Sequence, residues 1–197
     1  MDIDRFLFLL CSVPCGLIEL LISKQKFSSS VENSASKDGG TLPSIWITIV
    51  CSQAVSGMYI RDGRGMKMIE DGLVKRFVWI PLSISLFVLG HLLRRQAIQQ
   101  LGKWFTTAVR TNEQQQLITS GWYARMRHPS YTGVLMYFLG LTLLLNNWLA
   151  VLSIILPIYT VLFYRTYIEE KALEEHFGNE YRIYKRKVSN RYLPSFS

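Results

Sequence analysis

The sequence predicts an all-α integral membrane protein with about five transmembrane helices, the last two forming a helical hairpin that leads into a helical C-terminal segment. Of its 197 residues, 49% are hydrophobic and only 18% are charged, whereas soluble domains average about 25% charged residues. The charges are clustered, and the stretches between them approach the roughly 20 apolar residues that cross a bilayer. The net charge of +8 is typical of positive-inside topology and contact with anionic lipid, so we expect a lipid bilayer and no nucleic acid as partner.

Five apolar runs are the predicted membrane helices. In chain order they cover residues 6–22, 42–60, 77–93, 131–145 and 148–164. The first is not expected to be a cleaved signal peptide, because its start, "MDIDR", carries two acids and no small-residue cleavage site follows. Only Asn146 and Asn147 separate the last two runs, and so short a link predicts an antiparallel hairpin.

Lysines and arginines are unevenly distributed over the predicted loops. With five spans, segments 23–41, 94–131 and the tail from residue 165 share one face and hold 16 basic residues, against 6 on the other face. The positive-inside rule therefore places the C-terminal tail in the cytoplasm. The same topology brings His128 close to Arg165, because they lie at the two ends of the hairpin.

The three cysteines predict neither a disulfide framework nor a metal site. Cys11, Cys15 and Cys51 all lie inside apolar runs and have no metal-type spacing. We interpret them as small lipid-facing or core-facing residues.

The stretch "RMRHPSYTG", residues 125–133, places polar groups directly before an apolar run. Pro129 suits the first turn of a helix, and the backbone N–H groups of Ser130, Tyr131 and Thr132 would then be unpaired and able to bind an anion. His128 adds an imidazole beside them. The alternative is an anchor at the membrane interface.

The stretch "FYRTYIEEKALEEHFG", residues 163–178, follows the last apolar run. Arg165 and Glu169 are spaced i,i+4 and share one helix face, while Glu170 lies about 100° around the helix. Ionisable residues that emerge from a membrane helix are functional candidates, because they are costly unless they face protein or water. The alternative is a snorkelling arginine with a solvated acidic face. Gly178 is expected to end this helix.

Together the two stretches resemble the isoprenylcysteine carboxyl methyltransferase family. "LITSGWYARMRHPSYTGVL" carries the pattern G-x-Y-x3-RHP-x-Y-x-G, and "RTYIEEKALEEHFGNEYRIYKRKV" carries a Glu-Glu pair, a Phe-Gly turn and Tyr-x2-Tyr. The resemblance covers about 90 residues from roughly Gly102 onward. Phospholipid methyltransferases share parts of the pattern.

The resemblance implies a membrane enzyme whose S-adenosyl-L-methionine pocket is capped by the C-terminal half. Arg165, Glu169 and Glu170 would be its catalytic residues, with Arg165 facing a lipophilic methyl acceptor such as a prenylated cysteine. The implied cofactor-binding residues are Gln115, Gln116, Leu117, Ile118, Tyr123, His128, Pro129, Ser130, Tyr131 and Glu169. Residues 1–93 would select the substrate, and residues 94–197 would form the cofactor-binding and catalytic part.

The chemistry of the residues agrees with methyl transfer to a carboxylate. Such a transfer is an in-line displacement by a group that is already ionised, so the protein must mainly align two partners and exclude water. Arg165 can orient a carboxylate by a bidentate contact, and no G-x-G-x-x-G loop is present. Three alternatives stay open: a phospholipid amine N-methyltransferase, a nicotinamide-dependent enzyme resembling sterol reductases, and a lipid-binding protein without catalysis.

Overall fold

The computed structural model describes residues 41–62, 67–105 and 115–194, together with positions 8, 10, 12 and 17. All regular secondary structure in this part of the chain is helical, which confirms the predicted all-α fold. Apart from those four positions, the first apolar run, 6–22, lies outside the described residues, as do Cys11 and Cys15.

Five helices longer than one turn organise the described residues. They are α1 (Thr41–Arg61), α2 (Ile80–Leu101), α3 (Pro129–Leu143), α4 (Trp148–Phe177) and α5 (Asn179–Lys187). By length and composition, the helical segments Gly72–Trp104 and Trp148–Phe177 can each cross a membrane. α3 has 15 residues, fewer than the roughly 20 of a typical span. The count of five spans therefore stays a prediction.

The helical segment that contains α2 is longer than the predicted run 77–93. It begins with a short α-turn, Gly72–Val74, and a π-turn, Lys75–Trp79. The carboxylate of Asp71 caps its start by accepting two backbone N–H groups at 2.8 and 2.9 Å. Arginines and glutamines continue the helix beyond residue 93, because these unbranched side chains are good helix formers. Hydropathy alone therefore predicts a start and an end that both lie within the observed helical segment.

α2 and α3 cross in close contact, because glycines lie where their backbones meet. A Cβ atom at Gly90 would lie 2.7 Å from the carbonyl oxygen of Gly133, and one at Gly140 would lie 2.5 Å from that of Ser83. Small residues allow such close approach between membrane helices, where the apolar solvent supplies no hydrophobic drive for association. α3 is thereby fixed along α2, with its polar start on the same side as the end of α2.

The link between α3 and α4 is anchored by the chain that precedes α2. The amide of Asn146 donates to the carbonyl oxygen of Ile69 at 2.8 Å and accepts from its backbone N–H at 2.9 Å. The Trp79 indole donates to the carbonyl oxygen of Leu143 at 3.0 Å. The predicted topology places segment 61–76 and this link on one face, and the structure brings them together. The membrane-spanning hairpin itself stays a prediction.

The C-terminal segment folds back against the start of α3. Gly178 ends α4 with φ 56°, as predicted, and α5 follows immediately. Residues 188–192, here called the C-terminal strap, then accept hydrogen bonds along the approach to α3. The backbone N–H groups of Arg127 and His128 donate to the carbonyl oxygens of Asn190 and Arg191 at 3.1 and 2.9 Å. The strap therefore fixes the "RHP" segment against α4 and α5.

Candidate active site

A cavity lies between the start of α3, the C-terminal half of α4, α5 and the segment that begins at residue 115. It brings together every predicted site residue except Pro129 and Glu170. The predicted residues that line it are Gln115, Gln116, Leu117, Ile118, Tyr123, His128, Ser130, Tyr131, Arg165 and Glu169. Residues about 50 positions apart in the chain thus meet at one site.

Tyr131 connects the two predicted charged residues of α4. The Arg165 Nε–H donates to the Tyr131 hydroxyl at 2.9 Å, and this hydroxyl donates to Glu169 Oε2 at 2.7 Å. Arg165 is buried, with 4% of its surface exposed, whereas the Glu169 side chain is about one-third exposed. The i,i+4 spacing therefore produces the shared face that was predicted, with a cation and an anion held by one phenol.

The imidazole of His128 lies between the two adjacent glutamates. Its Nε2 is 3.2 Å from Glu170 Oε1, and its Nδ1 is 3.8 Å from Glu169 Oε2. The ring stacks on Tyr131, with centroids 5.6 Å apart and planes inclined by 6°. His128 is thus oriented by contacts on both edges and on one face of the ring.

Glu170 lies in a buried ion-pair network, not on the cavity. Its carboxylate accepts from Arg127 Nε at 2.9 Å and Arg191 Nη2 at 3.1 Å, and Lys185 Nζ is 3.8 Å away. Arg127 also donates to two carbonyl oxygens of the C-terminal strap. The carboxylate therefore joins α4, the "RHP" segment and the strap, and it does not face the same cavity as Glu169.

The start of α3 offers fewer free N–H groups than the sequence predicts. The N–H groups of Tyr131 and Thr132 both donate to the carbonyl oxygen of His128 at 3.1 Å. The expectation that these two groups are unpaired is wrong, because the turn closes on the carbonyl of its N-cap residue. The Ser130 hydroxyl accepts from Arg94 Nη1 at 2.9 Å.

Comparison with known proteins identifies the family. The sequence profile described as phospholipid methyltransferase matches residues 78–180, which is more than half of the chain. The chain belongs to this family. Within it, the predicted resemblance to isoprenylcysteine carboxyl methyltransferases is confirmed by relatives and by a solved structure.

The relatives match more than half of the chain. Protein-S-isoprenylcysteine O-methyltransferase B of Arabidopsis thaliana is 32% identical over 118 residues, which cover 58% of this chain and 60% of the relative. The Saccharomyces cerevisiae protein-S-isoprenylcysteine O-methyltransferase is 36% identical over 109 residues, which cover 54% and 46%. The human enzyme of the same name is 33% identical over 118 residues, which cover 58% and 42%. The chain thus spans about half the length of the curated relatives it matches.

A solved structure supports the same family assignment. The eukaryotic intramembrane Ras methyltransferase ICMT (isoprenylcysteine carboxyl methyltransferase) superposes with a TM-score of 0.59 at 26% identity, over 71% of this chain and 50% of that one. The sequence relatives and this solved structure are all methyltransferases, whose activity requires a methyl donor.

Two tyrosines of α5 complete the cavity of this family member, although the sequence indicates a site role for neither. Tyr181 and Tyr184 both line the cavity and are buried. Nothing in the Tyr-x2-Tyr pattern indicates that α5 folds back onto the cavity. The other lining residues that were missed are Leu101, Trp104, Phe105, Arg127, Ala172, Leu173 and Phe177.

Burial keeps the phenols of the cavity protonated. It raises the pKa of Tyr123 and that of Tyr184 above the ordinary tyrosine value, and the nearby Glu169 raises the pKa of Tyr123 further. Both hydroxyls are therefore hydrogen-bond donors at neutral pH. Among the residues that the structure describes, no group of three His, Cys, Asp or Glu side chains is placed to hold a metal ion.

Proposed function

We propose that this chain is an integral membrane, S-adenosyl-L-methionine-dependent methyltransferase that acts on the carboxylate of an isoprenylcysteine or a similar lipophilic acceptor. The observation that carries this proposal is the buried Arg165 beside Glu169, held on one cavity by Tyr131. A cation suits an acceptor carboxylate, and an anion suits a positively charged methyl donor.

Arg165 is the proposed acceptor-binding residue. Its planar guanidinium matches the two oxygens of a carboxylate, and such charge-assisted pairs are about twice as strong as neutral hydrogen bonds. Because Arg165 is 4% exposed, its charge is poorly screened by water. The Tyr131 hydroxyl fixes its Nε–H, which sets the orientation of the guanidinium plane.

The chemistry of the cavity lining also suits the methyl donor. When bound, S-adenosyl-L-methionine supplies an electrophilic methyl group on a positively charged sulfur. Glu169 would offset that charge, and His128 would support the same region through its stacking on Tyr131. Leu117, Ile118 and the α5 tyrosines provide apolar and aromatic surface for a nucleoside.

The protein then has mainly to align the methyl acceptor with the methyl donor. The acceptor carboxylate is already ionised at neutral pH, so no residue needs to remove a proton. Arg165 and Glu169 lie one helical turn apart and would hold acceptor and donor in line, a contribution that can lower a barrier by about 7–11 kcal/mol. Glu170, which contacts His128 and Arg127, would act as a positioning residue.

Binding and turnover of two conservative variants test this assignment. Arg165→Lys should lose most turnover, because a lysine cannot form the bidentate pair, yet keep its affinity for S-adenosylhomocysteine. Glu169→Gln should weaken the binding of S-adenosyl-L-methionine by about tenfold or more, which corresponds to roughly 1.4 kcal/mol of binding free energy. The same substitution should weaken the binding of S-adenosylhomocysteine less, because the thioether carries no positive charge. Affinities are measured by calorimetry in detergent and repeated in lipid nanodiscs.

Matched controls lie on the exposed pair Arg182 and Glu174, which is outside the cavity. Arg182→Lys and Glu174→Gln should leave both affinities and turnover unchanged. If Arg165→Lys abolishes cofactor binding while Glu169→Gln leaves it intact, the two roles are reversed.

The acceptor class is tested in parallel with a prenylated cysteine and a phosphatidylethanolamine, the second because the family is described as phospholipid methyltransferases. Transfer to the amine alone would contradict the acceptor proposed here, since Arg165 would repel a cationic headgroup. Affinity for NADPH without affinity for S-adenosylhomocysteine would contradict the methyltransferase proposal itself.

A further inference from the structure

Tyr181 carries a buried hydroxyl that has no hydrogen-bond partner among the residues the structure describes. The residue is 1% exposed and lines the cavity. A buried hydroxyl left unpaired is energetically costly, so such groups are rare in folded proteins and need an explanation.

Tyr184 provides an internal comparison, because it lies on the same helix three residues later. It is also buried and also lines the cavity, but its hydroxyl donates to the carbonyl oxygen of Tyr123 at 2.7 Å. One of two neighbouring phenols is therefore bonded to the protein, while the other has no hydrogen-bond partner in the described part of the chain.

The aromatic ring of Tyr181 packs in a hydrophobic cluster, while Glu170, Glu169 and Arg127 lie within electrostatic reach of its hydroxyl. The Tyr181 ring lies 5.9 Å from that of Tyr184, in a cluster to which Leu117, Leu173 and Phe177 also belong. The charged residues assigned to the sulfur and the acceptor, Glu169 and Arg165, project from α4 instead. Ligand pockets are usually lined by apolar and aromatic side chains with a few placed polar groups, and such a lining suits a nucleoside.

We propose that Tyr181 binds the adenosine part of the methyl donor through its hydroxyl, with Tyr184, Leu117 and Phe177 around the base. This inference rests on the proposed function and adds an orientation to it: adenosine against α5, the sulfur toward Glu169. Burial raises the pKa of Tyr181, so the phenol keeps its proton and can donate to a nitrogen or oxygen of the nucleoside.

The test compares Tyr181→Phe with Tyr184→Phe in the full chain. The ligands are S-adenosylhomocysteine and 5′-methylthioadenosine, which retains the nucleoside but lacks the amino-acid part. Tyr181→Phe should lower the affinity for both ligands by a similar factor of about ten. Its melting temperature without ligand should equal or exceed that of the parent, because an unpaired hydroxyl is removed. Tyr184→Phe should lower the ligand-free melting temperature, because the Tyr123 carbonyl loses its donor.

Each other outcome overturns the inference in a recognisable way. Equal affinity of Tyr181→Phe and the parent for both ligands would show that the hydroxyl does not contact the nucleoside. A loss confined to S-adenosylhomocysteine would place the hydroxyl at the amino-acid end. A ligand-free melting temperature lowered as much as in Tyr184→Phe would mean that the protein itself satisfies the hydroxyl. Absence of binding by the parent would instead contradict the proposed function.

Discussion

Replacement of Glu170 by alanine tests whether this carboxylate holds the site together. It is 3% exposed and contacts Arg127 at 2.9 Å, Arg191 at 3.1 Å and His128 at 3.2 Å. The Arg127 side chain is 5% exposed, so its charge would remain buried without its carboxylate. Breaking a buried pair by removing one partner costs about 3–5 kcal/mol. We therefore expect Glu170→Ala to lower the free energy of unfolding by that amount.

Two assays follow the effect. Thermal unfolding in detergent reports global stability, and limited trypsin digestion at Arg191 reports release of the C-terminal strap, which should be cleaved faster in Glu170→Ala. Glu174→Gln is the matched control: it lies one turn further along α4, and its partner Arg182 is 63% exposed. Equal unfolding and equal cleavage in the two variants would refute the reasoning.

Glu170→Gln separates a positioning role from a catalytic one. A glutamine keeps the shape and one acceptor but loses the charge, so stability and cofactor affinity should fall together, through Arg127 and His128. His128→Ala should then add little to the loss of affinity, because coupled residues are not additive. Loss of turnover with unchanged stability and affinity would show that Glu170 acts on the reacting groups.

Two further predictions concern packing and topology. Gly90→Ala should destabilise the protein by forcing α2 away from α3, because the added Cβ would lie 2.7 Å from the Gly133 carbonyl oxygen. Thermal unfolding measures the loss of stability. A stability equal to that of the parent would mean that the two helices do not cross this closely. In a variant without its native cysteines, Trp148→Cys and Ser189→Cys should react with an impermeant thiol reagent from opposite sides of the membrane, and labelling from one side would contradict the predicted hairpin.

The helices were predictable where hydropathy and capping signals agree. Gly178 marked the end of α4, and Pro129 marked the start of α3; both lie where expected. The start of the helical segment before α2 was missed, because Asp71 caps a stretch that still carries Lys75 and Arg76 and therefore does not look apolar. Hydropathy measures transfer into lipid, whereas capping and propensity decide where a helix begins.

The candidate site was predictable where a local spacing fixes geometry. Arg165 and Glu169 had to share a face once a helix was assumed, and resemblance supplied Tyr131 and the segment from residue 115. Tyr181 could not be assigned, because its position depends on how α5 returns to the cavity. That return is produced by hydrogen bonds between the C-terminal strap and Arg127, which join residues about 60 positions apart.

Glu169 and Glu170 show why adjacent acids need not share a role. Consecutive helical residues point about 100° apart, so the C-terminal half of α4 presents one carboxylate to the cavity and the other to Arg127 and the C-terminal strap. His128 contacts both. We therefore expect a change in charge at the cavity to reach the strap through the imidazole of His128 and the carboxylate of Glu170. Ligand binding should accordingly protect the strap from trypsin in the parent, and this protection should be lost in His128→Ala even at ligand concentrations that saturate the variant. Equal protection in both proteins would show that the two carboxylates act independently.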